Sequence, residues 1–595
     1  MIQSNNKRND NLRFALKREY KMDFITQFFE LKFSVRCLRK YEIPLLIIFL
    51  EIILLLRLIN FSYNNFITEN PDANRNYLVA HNIVAHKEFI LVGPKASMFY
   101  PYLNLDLDGS PLYYYVLAAF LFINDTLLTL WFTNVILSLL VLVFLYFLAK
   151  KMFGIGTSLI ATILFGFSDL FLNISTFYVW QPWVMLPFIN LSFLFLLTSC
   201  QKKNYSLLFL SIFLLAFSGS IHYSALSFTP LYMVLTFFIL KKQDGHFIQK
   251  YILGIFVLVS TLIIFHLPSA LYLITTTYKN GEIFRALMSI SFRENPLPIS
   301  TPIEFLDIAL TYIRLLTNSF FLNYNKNFLS LNNITLLIIG GSFMYYLYLI
   351  KKQVIKKRFF IIILTFILQP IILLAIFGIK PLKDDHAQPV GYGYLHYLAP
   401  IFTLFFIIIS ETVWTSLSQN SLLKIARAIL IFTLIVVTSP SLKPNIEAAI
   451  HRVVNKQFFY NSSTTTQEAA NAILVQIISL RQYDNTDTDY SFFQLKTEGN
   501  HYGGFYNGAA FWNILEQNLH VKFTKNDNKS PDRFTPVNAD NSKYIFLLCY
   551  KYNNQVDEED NCVRPFLRKN SDYEVYKKIY SSYPLSVHGM MKQDM

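Results

Sequence analysis

Asp72 and Arg75 stand three residues apart in "PDANRNYLVAHNIV" (71–84), shortly after the first long apolar run, "IPLLIIFLEIILLLRLINF" (43–61). On a helix that spacing puts both on one face, where an ion pair capping a juxtamembrane helix satisfies it. A second reading is chemical. A carboxylate held where an extramembrane loop meets the bilayer reaches both a water-soluble acceptor and the head group of a lipid, and can take a proton or stabilise developing positive charge. Asp106 and Asp108 in "NLDLDGSP" are either a further acidic pair or part of an Asp-Gly-Ser-Pro turn. His222 and His396 border apolar runs, positions that suit a hydrogen-bonded interfacial histidine as well as an active one. Asp384, Asp385 and His386 are adjacent and therefore diverge, and no spaced partner completes a metal set, so a solvated loop fits them. Glu51 and Arg57 lie inside the first run, where ionisable groups usually face protein or water. Their six-residue separation is awkward for a direct pair.

The elements that must position these residues are membrane helices. The 595 residues are 53% hydrophobic and 15% charged, with 57 Phe and 37 Tyr, which excludes an ordinary soluble domain. The net charge of +14 is not a nucleic-acid footprint, because it is gathered into short clusters between apolar runs. Ten Lys or Arg precede the first run, and Lys150-Lys151, Lys202-Lys203, Lys241-Lys242, Lys351 to Arg358, and Lys424 with Arg427 recur at every second gap. That is the positive-inside pattern. Runs at about 43–62, 126–149, 156–172, 182–199, 205–220, 225–240, 251–271, 331–350, 359–379, 398–416 and 422–439 predict an all-α polytopic bundle of about 11 transmembrane helices. The first follows a polar arm with no small-residue cleavage site, and reads as a retained anchor. An odd number of spans puts the N-terminus in the cytoplasm and the C-terminus outside.

The chain divides into a basic cytoplasmic arm (1–41), a transmembrane domain (42–440) with outer loops at 62–125, 274–330 and 380–397, and an extracytoplasmic C-terminal segment (441–595). The first loop carries six acidic and three basic residues, the reverse of the cytoplasmic balance. Within it "PLYYYVLAAFLFI" (111–123) is short for a span and predicts an interfacial helix with a tyrosine belt. Strand-like "KYIFLLCYKY" (543–552) and helix-like "TTQEAANAILVQIISLRQ" (465–482) predict a small α/β domain at the C-terminal end. Cys549 and Cys562 would both lie outside, where a disulfide can form but is not required.

These stretches resemble a family. "DANRNYLVAHNIVAHKEFILVGPKAS" followed by "DGSPLYYYVLA" is similar to the first outer loop of the GT-C membrane glycosyltransferases, in the Rgt-like branch related to protein O-mannosyltransferases and the lipid A aminoarabinose transferase. "FYVWQPWVMLPF" (177–188), "IHYSAL" (221–226) and "GYLHYLAP" (393–400) resemble its later outer turns, in the same order and on the same side. The resemblance covers roughly 43–440, and the tail more weakly.

It implies transfer of a sugar from a polyprenyl-phosphate donor to an acceptor hydroxyl on the outer membrane face, usually with inversion. Asp72 matches the family's catalytic Asp. Arg75, Lys95, Lys383 and His396 are the candidates for holding the lipid phosphate, and Asp108, Gln181, His222 and Tyr397 for the sugar or acceptor. Where relatives often carry Arg, and in some branches Asp or Asn, in the turn after the third span, this chain has Thr176 and Gln181, which weakens the case for a second catalytic carboxylate from that turn. No metal site is assigned, and a divalent cation is left open. The expected partners are the polyprenyl-phosphate sugar donor, a glycolipid, polysaccharide or protein acceptor, and membrane lipids, with no nucleic acid. The expected location is a bacterial inner membrane. A secondary transporter has the same composition but tends to show repeated halves, and none is found here. A polysaccharide polymerase or ligase tends to carry its largest loop between late spans, whereas this chain has a substantial loop directly after the first.

Overall fold

The computed structural model describes residues 35–60, 71–93, 109–168, 171–172, 179–243, 246–272, 357–376 and 395–416. It also describes isolated positions within 306–310, 344–348 and 472–476, and the segments 493–498, 544–550, 563–569, 573–582 and 585–592. The helices are α1 (Val35–Asn60), α2 (Pro71–Ala85), α3 (Leu112–Leu121), α4 (Leu127–Met152), α5 (Ile155–Phe167), α6 (Gln181–Val184), α7 (Leu186–Lys202), α8 (Tyr205–Ile221), α9 (Thr229–Gln243), α10 (Phe247–Tyr272), α11 (Lys357–Ile376), α12 (Leu395–Ser416) and the short α13 (Arg564–Lys569). Among the described residues five helical stretches are long and apolar enough to cross a membrane: Leu128–Met152, Gln181–Lys202, Tyr223–Lys242, Phe247–Tyr272 and Leu398–Thr415. The expected spans at 422–439 and, apart from isolated positions, 331–350 lie outside the described residues.

Local chemistry sets where the helices stop and turn. Thr126 caps α4 by accepting from Thr129 N, and Lys150 and Lys151 occupy its last turn, where cations meet the negative end of the helix dipole. Gly154, with φ +108, turns the chain into α5. Lys203, in the left-handed region, ends α7, and Asn204 then caps α8 by accepting from Leu207 N at 3.2 Å.

The helices share one apolar core running from Phe49 of α1 to Val413 of α12. Polar side chains inside it are matched across helices, as burial away from water requires. Ser192 Oγ of α7 donates to Ser211 O of α8 at 2.7 Å, and Thr403 Oγ1 of α12 donates to Asn190 Oδ1 of α7 at 2.9 Å. Thr157 and Thr415 donate to the two carboxylate oxygens of the buried Glu411, at 2.6 and 2.8 Å.

The bundle has two chemically different ends. One is basic: Lys150 pairs with Glu42, the Lys250 ammonium lies 3.5 Å from the Tyr205 ring centroid, and the α7–α8 turn carries Lys202 and Lys203. At the other end the first loop folds onto the turns that join the helices.

One expectation changes. α3 is only ten residues long, as its apolar length predicted, but its tyrosines form no belt: Tyr113 and Tyr114 are fully buried against the bundle. Inside the first run, Arg57 is buried with its guanidinium 4.8 Å over the Phe171 ring, whereas Glu51 lies on the exposed face of α1. Beyond the bundle, four strands form a sheet in the order β1 (Phe493–Glu498), β2 (Tyr544–Tyr550), β4 (Leu585–Lys592), β3 (Tyr573–Ser582). β1 and β2 are parallel, and the other pairs are antiparallel.

Candidate active site

Four chain segments converge at the loop end of the bundle. α2 opens with Pro71 in its first turn and carries Asp72 and Arg75 there, where the positive end of the helix dipole favours an anionic group. One turn further on, the buried Asn76 donates from Nδ2 to Tyr113 Oη of α3 at 2.8 Å and to Val179 O at 2.9 Å. Tyr113 Oη itself donates to Val179 O at 2.7 Å. Val179 lies two residues before Gln181, the first residue of α6, so the turn that carries Gln181 is held directly against α2.

The third segment is the His222 turn. His222 Nδ1 lies 2.7 Å from Ser224 Oγ and accepts from Ser224 N at 3.4 Å, so the imidazole caps the 3₁₀ turn Tyr223–Phe228. Ser224 Oγ lies 3.8 Å from Met185 Sδ, at the joint of α6 and α7. The fourth segment is the start of α12. Phe402 stacks on Trp183, two residues beyond Gln181, with centroids 6.0 Å apart. This brings the first turn of α12, with the backbone of His396 and Tyr397, to the same end as α2 and Gln181.

The stretch before Lys95 is anchored as firmly. Tyr115 Oη donates to Ile90 O at 3.0 Å and accepts from Ile90 N at 3.1 Å, pinning the extended segment to α3 as a strand partner would. Burial raises the pKa of this phenol and the bond to Ile90 offsets part of the rise, so the hydroxyl remains a donor at neutral pH. Gly93 N donates to Gly109 O at 2.8 Å, and the single hydroxyl proton of Ser269 of α10 is shared between Gly109 O and Leu91 O, 2.7 and 3.0 Å from its Oγ. Ser110 Oγ accepts from Leu112 N at 3.1 Å and donates to Phe265 O at 2.8 Å. Thus Gly109 and Ser110 of "DGSP" join loop, helix start and α10.

Lys95, Asp108 and Lys383 lie outside the described residues. For Asp72, Arg75, His396 and Tyr397 the described part is the backbone. Among the described residues no group of three or more His, Cys, Asp or Glu is arranged to hold a metal ion.

The sequence reading overlooked a second polar cluster on α2. His81 Nδ1 lies 2.6 Å from Asp125 Oδ2, and Tyr77 Oη donates to Asp125 Oδ1 at 3.3 Å while its ring stacks on His81 at 5.6 Å. The only local signal was the four-residue spacing of Tyr77 and His81, since Asp125 is 44 residues away. This cluster ties α2 to the start of α4. Asp125→Ala is expected to lower the unfolding temperature of the solubilised protein through a loss of about 1–3 kcal/mol. An unchanged midpoint would remove the cluster from the forces that hold α2.

Residues 108–272, from just before α3 to the end of α10, match the family model described as dolichyl-phosphate-mannose-protein mannosyltransferase. Against the crystal structure of ArnT from Cupriavidus metallidurans in the apo state the TM-score is 0.51 at 10% identity, covering 92% of this chain and 98% of that one. The ArnT structure bound to undecaprenyl phosphate gives 0.45 at 11% identity, covering 92% and 98%. The Archaeoglobus fulgidus oligosaccharyltransferase in the apo form gives 0.46 at 12% identity, covering 85% and 69%. No curated protein matches by sequence. At these identities the first likeness speaks for the fold.

Proposed function

We propose that this chain belongs to the GT-C superfamily of membrane glycosyltransferases and that it moves a hexose or pentose from a polyprenyl-phosphate donor to an acceptor hydroxyl. The observation that carries the reading is the match of 108–272 to a family described by a dolichyl-phosphate sugar donor, over the stretch that supplies α3, the Gln181 turn, the His222 turn and the end of α10. The acceptor is a glycolipid, a polysaccharide or a protein.

In the proposed reaction the Asp72 carboxylate accepts the proton of the acceptor hydroxyl as its oxygen bonds to the anomeric carbon. The bond from that carbon to the phosphate oxygen breaks on the opposite face, inverting the centre and leaving the lipid monophosphate. Arg75, Lys95, Lys383 and His396 balance the phosphate charge, with guanidinium and ammonium groups serving a leaving phosphate well. Asp108, Gln181, His222 and Tyr397 orient the sugar or the acceptor.

The proposed architecture has about 11 spans in a bacterial inner membrane, with the N-terminal arm cytoplasmic and residues 441–595 forming an extracytoplasmic α/β domain. The gathering of the paired lysines Lys150-Lys151 and Lys202-Lys203 at the end opposite the first loop supports this sidedness.

The test is mass spectrometry of surface glycolipids, polysaccharides and glycoproteins from a strain lacking this chain, beside its parent. The expected result is loss of a hexose or pentose mass increment from one class, restored by the wild-type chain. Identical glycans in the two strains would contradict the proposal.

A further inference from the structure

We propose that Asn76 and Tyr113 form the positioning element of the transfer site, fixing the start of α2 at a set distance from the Gln181 turn. The inference rests on the assignment of Asp72 as the catalytic carboxylate, and adds the residues that hold it in place.

Directionality settles how the circuit is wired. A carbonyl oxygen only accepts, so the Asn76 atom 2.9 Å from Val179 O must be its amide nitrogen. The single Tyr113 hydroxyl proton goes to Val179 O at 2.7 Å, so the hydroxyl accepts from Asn76 Nδ2 at 2.8 Å. The amide nitrogen, the hydroxyl and the carbonyl are therefore joined in one closed triangle of hydrogen bonds. Its corners come from three segments, separated by 37, 66 and 103 residues along the chain. Asn76, Tyr113 and Val179 are all fully buried.

Such a circuit is a poor choice for stability alone. Buried polar groups give little net gain even when every bond is made, and apolar side chains of similar size would hold the helices together as well. What the polar version adds is a single geometry, since each bond is directional and no partner can slide without stranding another. Asp72 stands four residues before Asn76, one helical turn away on the same face of α2. Gln181 stands two residues after Val179. The circuit thus sets the spacing between the backbone that carries Asp72 and the Gln181 turn, and misplacement by about 1 Å can lower turnover by about 10²-fold.

Tyr113→Phe keeps the ring and removes the hydroxyl, and Asn76→Ala removes both donors. Each is expressed in the strain lacking the chain, beside Tyr113→Phe/Asn76→Ala and Asp72→Asn. Three quantities are read per variant: folded protein in membranes, undecaprenyl phosphate binding by the purified protein, and the restored glycan per folded molecule. For a positioning role, Tyr113→Phe is expected to lower transfer about tenfold and Asn76→Ala about a hundredfold per folded molecule. The double variant should be no worse than Asn76→Ala, because both changes release the same geometry. Undecaprenyl phosphate binding should stay within about twofold of wild type throughout, since the reacting carboxylate rather than the lipid site is displaced.

Transfer that falls only as far as folded protein falls would make the triangle structural and overturn the inference. So would wild-type transfer in Asn76→Ala while Asp72→Asn is inactive, with the assignment of Asp72 left standing. Full transfer in Asp72→Asn would instead remove the assignment on which the inference rests.

Discussion

Asp72→Asn is expected, under the proposed function, to abolish sugar transfer, by roughly 10³-fold or more, while the protein still inserts, folds and binds a polyprenyl phosphate. The substitution keeps the size of the side chain and its place in the first turn of α2, but removes the group that, in the proposed reaction, takes the proton from the acceptor. An amide is not basic enough to replace it, and it brings no negative charge to the developing positive charge on the sugar. The anchors of α2 lie further along the helix, in Asn76, Tyr77 and His81, so removing the charge leaves them untouched. Transfer is read from the restored glycan per folded molecule, and lipid binding from titration of the purified protein. Wild-type transfer would take Asp72 out of the mechanism.

Gly93→Ala is expected to have the next largest effect, and for a steric reason. A Cβ at Gly93 would lie 2.0 Å from Ser110 O, 2.5 Å from Ser110 C and 2.7 Å from Gly109 O. All three atoms are backbone, so no side-chain rotation relieves the overlap. Either the 2.8 Å bond from Gly93 N to Gly109 O breaks, or Ser110 leaves its place at the start of α3. Overpacking of this kind costs about 1–3 kcal/mol. Lys95 follows two residues later, so under the proposed function its ammonium is displaced from the donor phosphate. Undecaprenyl phosphate binding should weaken by about tenfold, equivalent to the loss of one charge-assisted contact. Gly154→Ala is the control: that position has φ +108 and open space around it, in the α4–α5 turn at the basic end. It should lose about 1 kcal/mol of stability with lipid binding unchanged. Equal lipid binding by Gly93→Ala and wild type would break the link between this close approach and the phosphate site.

Much of the bundle was legible because membrane helices are written in local composition. The apolar run at 126–149 becomes α4, and the paired lysines at its end both terminate the helix and mark the basic end of the molecule. The Gly-Pro and Asp-Gly-Ser-Pro signals were likewise visible, and the structure supplies the reason for the glycine: two backbones pass too close for a side chain. What local pattern could not supply was partnership. Asn76 reads as one more polar residue on a short helix until Val179 arrives from 103 residues away to meet it. Tyr113 and Tyr114 look like an interfacial belt because aromatic residues next to an apolar stretch suit the membrane boundary, yet packing against α2 and the bundle buries both. His222 was open between structural and active roles, and the cap it forms depends on a serine two residues on, a spacing visible but not distinctive.

The most direct measurement is sidedness. In an otherwise cysteine-free chain, Ala73→Cys places a thiol beside Asp72 at the loop end, and restoring the native, exposed Cys200 places one at the basic end near Lys202. Intact spheroplasts are treated with a membrane-impermeant maleimide before and after permeabilisation. Ala73→Cys is expected to be labelled in intact cells and Cys200 only after permeabilisation. Labelling of Cys200 from outside, with Ala73→Cys reached only once the membrane is opened, would place the carboxylate in the cytoplasm and contradict transfer at the outer surface.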